Sequence, residues 1–171
     1  MKSLLLLLIA TSSSLLACSQ TDKSKRPSPP AIAKETLANG TNVSIDYSQP
    51  SVKGRTVGKE VEPFMEQVWR AGANEATVFT IDKDVEIDGK KLPAGKYGLF
   101  AIMHANNWTI IFNKTWNQWG AFKYKESEDA LRINAEEKKA EPFAERLTYT
   151  ISKDGKVSLS WGDLLVEFVV K

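Results

Sequence analysis

The chain predicts an all-β domain, an antiparallel β-sandwich of Greek-key or jelly-roll kind with short helical segments, and a closed barrel is the alternative architecture. Three observations carry that prediction. Apolar and polar residues alternate at period two through several short runs, which puts one face of each run in a core. Turn-forming dipeptides ending in glycine separate these runs. Five tryptophans and seven phenylalanines provide the bulky side chains of a core that has no disulfide to rely on.

From Asn42 onward the elements follow in order. Val43, Ile45 and Tyr47 alternate with Ser44 and Asp46 in a first strand, and Pro50 to Gly58 reads as a loop. Val61 to Arg70 fits either a short helical turn or another strand. The β-branched run Ala76 to Ile81 is a strand. Val85-Glu86-Ile87 and Lys90-Lys91-Leu92 flank Asp88-Gly89, which supplies the positive φ angles of a two-residue hairpin turn. Lys96 to Met103 is apolar on both faces and belongs in the middle of a sheet, with Trp108 to Phe112 as its partner across the turn residues His104 to Asn107. Asn113 to Ala140 is less regular, with Glu126 to Arg132 as a candidate helix. Leu147, Tyr149 and Ile151 alternate before Asp154-Gly155, then Val157, Leu159 and Trp161 before Gly162-Asp163, and Leu164 to Val170 makes the last apolar face.

The N-terminus has a separate logic. Lys2, the apolar stretch Leu4 to Ala10, a Ser-rich break and Leu15-Leu16-Ala17-Cys18 make a secretory signal that resembles those of bacterial lipoproteins, in which the cysteine becomes the lipid-bearing N-terminus. The apolar run is too short for a span of about 20 residues. The expected organisation is therefore a signal over 1–17, a lipidated Cys18 with a disordered tether over 18–40, and a β-domain over 41–171. The tether holds Arg26-Pro27-Ser28-Pro29-Pro30 and, extended at ~3.3 Å per residue, would let the domain stand up to ~65 Å from the lipid. Location would then be the bacterial cell envelope, lipid-anchored at the periplasmic face or outer membrane.

Composition excludes several functions. The formal charge is +2 and Lys and Arg are interspersed with Asp and Glu, so nucleic acid is not an expected partner. One cysteine and one histidine, His104, rule out metal sites built from several such ligands, and no cofactor is expected. His104 reads as a turn residue without an orienting partner. Asp84 to Gly89 imitates the start of a calcium loop, but Gly95 stands where that loop needs its closing glutamate. Trp116 and Trp119, separated by Asn117 and Gln118, suit sugar rings as well as a core.

The densest polar grouping is Lys53-Gly54-Arg55 with Trp69 to Thr77. Two guanidiniums beside Asn74 and Glu75 would bind a carboxylate or phosphate, or would lock loops together. The candidate ligand-binding residues are thus Arg55, Trp69, Arg70, Asn74 and Glu75. Tyr47-Ser48-Gln49-Pro50-Ser51-Val52-Lys53-Gly54-Arg55, Trp69-Arg70-Ala71-Gly72-Ala73-Asn74-Glu75-Ala76-Thr77 and Leu92-Pro93-Ala94-Gly95-Lys96-Tyr97 resemble, in order and spacing, a bacterial domain-of-unknown-function family of exported proteins. That resemblance implies a small, mainly β, cell-envelope domain and no catalytic residues. The leading expectation is a membrane-anchored lipoprotein that binds a small molecule, a carbohydrate or an envelope protein without turnover. A hydrolase using paired carboxylates from Glu66, Glu75 and Asp84, and a purely structural envelope component, are the alternatives.

Overall fold

The computed structural model describes residues 22–171. Cys18, and with it the signal and the lipid attachment read from sequence, lies outside the described residues. The rest is an all-β sandwich. One antiparallel sheet has the order β1 (Pro30–Thr36), β2 (Asn42–Ser48), β4 (Thr77–Ile81), β7 (Gly95–Met103), β8 (Trp108–Asn113), β9 (Asp129–Ala135), and the two-residue β3 (Val68–Trp69) also pairs with β7. The second layer is the long ribbon β10 (Glu137–Ile151) and β11 (Lys156–Val169), and β5 (Val85–Ile87) with β6 (Lys90–Leu92) forms a separate hairpin. Connectivity in the large sheet is a meander rather than a Greek key or jelly roll. The sheet ends at β1 and β9, so it does not close into a barrel.

Alternation sorts the sheet's two faces. Val43, Ile45, Phe79, Ile81, Leu99, Ala101, Ile110, Phe112, Leu131 and Ile133 point inward onto Leu147, Tyr149, Val157, Leu159, Trp161, Val166 and Phe168 of the ribbon, and all are buried. Trp161 stacks on Trp69 at 5.9 Å between ring centroids, and Trp108 meets Trp69 edge-on at 6.4 Å. β7 is apolar on both faces because its outward Phe100 and Ile102 join Ala76, Val68, Ile111, Ala121 and Tyr124 in a small second cluster. That cluster lies under the irregular segment after β8, which is why the segment holds a fixed shape without regular structure. Asn113 ties it down by donating to the Lys125 carbonyl and the Asp129 carboxylate.

Two sequence expectations change. Glu126 to Arg132 is not a helix: a single 3-10 turn (Glu126–Glu128) leads into β9, because Leu131 and Ile133 alternate toward the core. The tether assigned to 18–40 ends much earlier, since Pro30–Thr36 is an edge strand paired with β2 along its whole length. Pro30 is tolerated at such an edge, where no ladder hydrogen bond is required of it. Val61 to Arg70, left between helix and strand, contributes β3.

Candidate functional site

The five residues singled out from sequence do not converge on one pocket. Arg55 donates from Nε to the Val52 carbonyl at 3.0 Å and from Nη2 to the Ser51 carbonyl at 2.8 Å, rigidifying a loop that pairs with β10. Trp69 is a core residue, 2% exposed, whose indole N–H donates to the Gly72 carbonyl. Arg70 pairs with Glu62 at 3.1 Å. Only Asn74 and Glu75 act together, and their partners come from the N-terminal segment. Asn74 donates to the Ser28 carbonyl at 3.0 Å, and Glu75 accepts Arg26 at 2.9 Å and Lys23 at 3.0 Å. Partial burial pushes the Glu75 carboxyl upward, but its own backbone N–H, Lys23 and Arg26 outweigh that and hold its pKa down at about 2. This is the mutual locking of loops that the same residue types allow.

The three carboxylates proposed for hydrolysis are taken up separately. Glu75 holds Arg26 and Lys23, Asp84 accepts the Ala94 N–H at 2.8 Å, and Glu66 meets His104. His104 does have an orienting partner, which overturns the sequence reading. Its Nδ1 lies 2.8 Å from a Glu66 carboxylate oxygen and its Nε2 lies 3.0 Å from the Thr109 hydroxyl. The partner was invisible in sequence because Glu66 is 38 positions away and reaches the ring through a left-handed backbone, φ 60°. The Asp84 to Gly89 stretch is part of the β5–β6 hairpin, with Asp88 and Gly89 at φ 52° and 69° in its turn.

An open, partly polar hollow lies elsewhere, on the face of the large sheet turned away from the ribbon. The strand registers set its floor in two rows. One row runs Lys34, Ser44, Thr80, Lys96 across β1, β2, β4 and β7, and the next runs Ile32, Asp46, Val78, Gly98. Hollows of about 520 Å³ and 230 Å³ lie over these rows, the first lined by residues including Lys34, Ser44 and Thr80 and the second by Ile32, Asp46, Val78 and Glu75. The two hollows lie over adjacent rows of one face and share no lining residue; we call the pair the trough. Trp116 stands at its β7 side, with the Lys96 ammonium 5.2 Å from its ring centroid. The backbone before Trp116 is held close: a Cβ on Gly98 would sit 3.3 Å from the Thr115 carbonyl oxygen and only 2.7 Å from the Phe100 ring, so the sheet has no room for a side chain at 98.

The trough's polar groups differ in how far they are engaged. At one end Asn42 accepts from Thr36 at 2.7 Å and donates to Asp82 at 2.6 Å, and this amide with the Asn42 backbone N–H holds the Asp82 carboxyl below the ordinary range. In the middle, the side chains of Ser44, Asp46 and Thr80 make no hydrogen bond among the described residues. Two hydroxyls and a carboxylate therefore face open space, with the Lys34 side chain among the lining groups and Lys96, whose ammonium lies against Trp116, paired across from Thr80 on the next strand. Sequence reasoning missed them because Ser44, Asp46 and Thr80 are what any solvent face of a strand would carry. Their cross-strand alignment appears only with the register.

A family model described as Protein of unknown function (DUF2911) matches residues 28–170, and the chain belongs to that family. The match begins just before β1, in agreement with a domain that includes this strand. No curated protein and no solved structure matches the chain.

Proposed function

We propose that this member of the family is a lipid-anchored cell-envelope protein whose β-domain binds a glycan along the trough, without turnover. The observation that carries this reading is the unengaged Ser44, Asp46 and Thr80 in adjacent rows of an uncovered sheet face, with Trp116 reached through Lys96 at the β7 end of the Ser44–Thr80 row. A sugar ring offers an apolar C–H face to an indole and a rim of hydroxyls to carboxylate, hydroxyl and ammonium groups. The two hollows are open and adjacent, which suits successive units of a chain better than one enclosed small molecule. Anchoring rests on Cys18 and its preceding signal.

The test is a thermal-unfolding series on residues 22–171 with chito-oligosaccharides and neutral gluco-oligosaccharides as probes. A rise in melting temperature that grows with oligomer length, and disappears in Trp116→Ala and Asp46→Asn while both variants stay folded, is expected. No rise with either series refutes glycan binding. A mass spectrum of the N-terminal peptide from membranes checks the acyl groups on Cys18 separately.

One observation favours a second reading. Glu66, His104 and Thr109 are spaced as an orienting carboxylate, a base and a hydroxyl, the arrangement that activates a nucleophile. None of the three lines the trough. Ester hydrolysis by the domain that is lost in Thr109→Val and His104→Gln would support this reading over binding alone.

A further inference from the structure

The segment expected to be a loose tether is strapped to the domain almost to its lipid end. Asp22 caps a 3-10 turn over Lys23–Lys25, accepting the Ser24 N–H, and the chain then reaches Arg26, whose guanidinium donates to both Glu75 carboxylate oxygens at 3.0 and 2.9 Å. Lys23 adds a second cation to Glu75, Asn74 grips the Ser28 carbonyl, and β1 begins two residues later. The chain is thus held from Asp22 onward. Cys18 lies only four residues before Asp22, a reach of ~13 Å at full extension in place of ~65 Å.

Next to the strap is a group of exposed aromatic residues. The Arg26 guanidinium lies 5.8 Å from the Trp119 ring centroid, and Trp119 is 53% exposed. Trp119 bridges to Glu75, and Gly120 donates to the Asn74 carbonyl, so the loop bearing the aromatics is joined to the residues that hold the strap. Phe122 leans over Gly120, its ring 3.4 Å from where a Cβ would be, and is 86% exposed. Arg26 is the cation set against these rings, Lys23 shares its Glu75 partner, Lys25 belongs to the same turn, and Lys123 follows Phe122 in the chain. The nearby acids are already engaged, Asp22 by Ser24 and Lys25 and Glu75 by Lys23 and Arg26.

We infer that the face formed by Trp119, Phe122 and the Lys23–Arg26 strap seats on the surface of an anionic lipid bilayer, the one to which Cys18 attaches the chain. The inference rests on the lipoprotein reading for its anchor. Three features select a bilayer as the occupant. The anchor point is too close to the strap for the domain to stand clear of the lipid. Tryptophan and phenylalanine flanked by Lys and Arg match the headgroup layer, where an amphipathic ring has both an apolar and a wet side. The four cations of the strap and loop less the two carboxylates they engage leave a charge of 4 − 2 = +2, which complements anionic headgroups and supplements a lipid anchor without replacing it.

The experiment uses the chain from Cys18, whose single thiol is coupled to a maleimide lipid in nanodiscs, so attachment does not depend on acylation in the cell. Brominated lipids then quench tryptophans that enter the interface. In discs containing phosphatidylglycerol, the expected result is quenching that falls at least threefold in Trp119→Phe and about twofold in Phe122→Ser. Glu75→Gln, which frees the strap, is expected to lower it about twofold, as are discs of phosphatidylcholine alone. Equal quenching in wild type and Trp119→Phe, with both folded by near-UV circular dichroism, overturns the inference. Self-association lost in Phe122→Ser, with no quenching, also overturns it and makes the face a protein contact. Absence of acyl groups on Cys18 in membranes would sink the anchor reading while leaving the quenching result to stand on its own.

Discussion

The carbonyl of Ala71 allows a double-mutant cycle whose outcome follows from the hydrogen-bond geometry. Ala71 is 1% exposed and has φ 51°, so its carbonyl is turned away from any regular ladder. Two side chains satisfy it, the Tyr149 hydroxyl at 2.9 Å and the Thr77 hydroxyl at 2.9 Å. Burial pushes the Tyr149 phenol far up, so it donates as a neutral hydroxyl at any working pH. Tyr149→Phe or Thr77→Val alone removes one donor and leaves the oxygen paired, at a cost of about 0.5–1.5 kcal/mol each. The double variant strands a buried carbonyl and adds the desolvation penalty of about 1–3 kcal/mol. Urea denaturation of the four proteins at pH 7 should therefore show the double variant less stable than the sum of the singles by more than 1 kcal/mol. Thr77→Ser, which keeps the hydroxyl, should show no such coupling with Tyr149→Phe. Additivity within about 0.5 kcal/mol, the range for independent sites, would refute the shared-acceptor account. The loop at stake is the one that presents Asn74 and Glu75 to the strap.

Three further outcomes follow from single side chains. Because the Glu75 pKa falls from 4.5 to about 2 on folding, its contribution is complete above about pH 4.5 and is lost as the pH drops toward 2. The side chain is 39% exposed, so screening keeps that contribution near ~1 kcal/mol, and Glu75→Gln should flatten the change in urea midpoint between pH 6 and pH 3. Gly54→Ala and Gly155→Ala separate backbone strain from collision. Both glycines have positive φ, 71° and 88°, but a Cβ at 54 meets nothing within 4 Å, whereas one at 155 would collide with the Val170 carbonyl oxygen. Thermal unfolding should show about 1–2 kcal/mol lost at 54, the left-handed cost alone, and at least twice that at 155. Arg70→Ala removes a partly buried pair with Glu62 but also a buried Nε that has no partner, so the expected loss is under ~1 kcal/mol. It should leave any glycan-induced rise in melting temperature intact, and loss of that rise in a folded Arg70→Ala would return the site to Arg70.

Most of the fold was legible because one-sided burial at period two is a local property. Val43, Ile45 and Tyr47, or Val157, Leu159 and Trp161, declare a buried face without knowledge of their partners. Asp88-Gly89 likewise declares a hairpin. The exceptions had causes of their own. β1 looked like linker because its inward residues are Ala31, Ala33 and Glu35, too small or polar to register as a core face, and because proline precedes it. It is a strand because β2 offers it a complete ladder. Glu126 to Arg132 had helical composition, yet the Arg132 guanidinium instead joins Asp129 at 2.6 Å and the Tyr124 hydroxyl at 2.6 Å, across the entrance to β9. Burial first, then Asp129, pushes the Tyr124 phenol up to about 12, so this hydroxyl stays a donor within the network.

The site was far less legible, and for a geometric reason. Sequence reasoning weighs side chains by type and proximity along the chain, so it gathered Arg55, Trp69, Arg70, Asn74 and Glu75, whose partners prove to be Ser51, Gly72, Glu62, Ser28 and Arg26. These partners take up the polar atoms that made the residues conspicuous, except that the Arg70 Nε is buried without a partner and away from any open space. A site needs the opposite property: polar groups that remain unengaged where open space meets them. Ser44, Asp46 and Thr80 have that property, and they are inconspicuous because they come from three strands that only the register aligns. The same reasoning applies to Phe122. A phenylalanine 86% exposed on a loop held by Gln118, Asn113 and Gly120 is presented at a fixed position, beside the strap that begins at Asp22. If both the trough and the seated face are right, ligand and membrane are read by different parts of one sheet face, and Glu75 is the residue that couples them. It lines the shorter hollow and holds the strap, so Glu75→Gln is the substitution expected to disturb membrane seating and trough geometry at once, whereas Asp46→Asn should disturb only the trough.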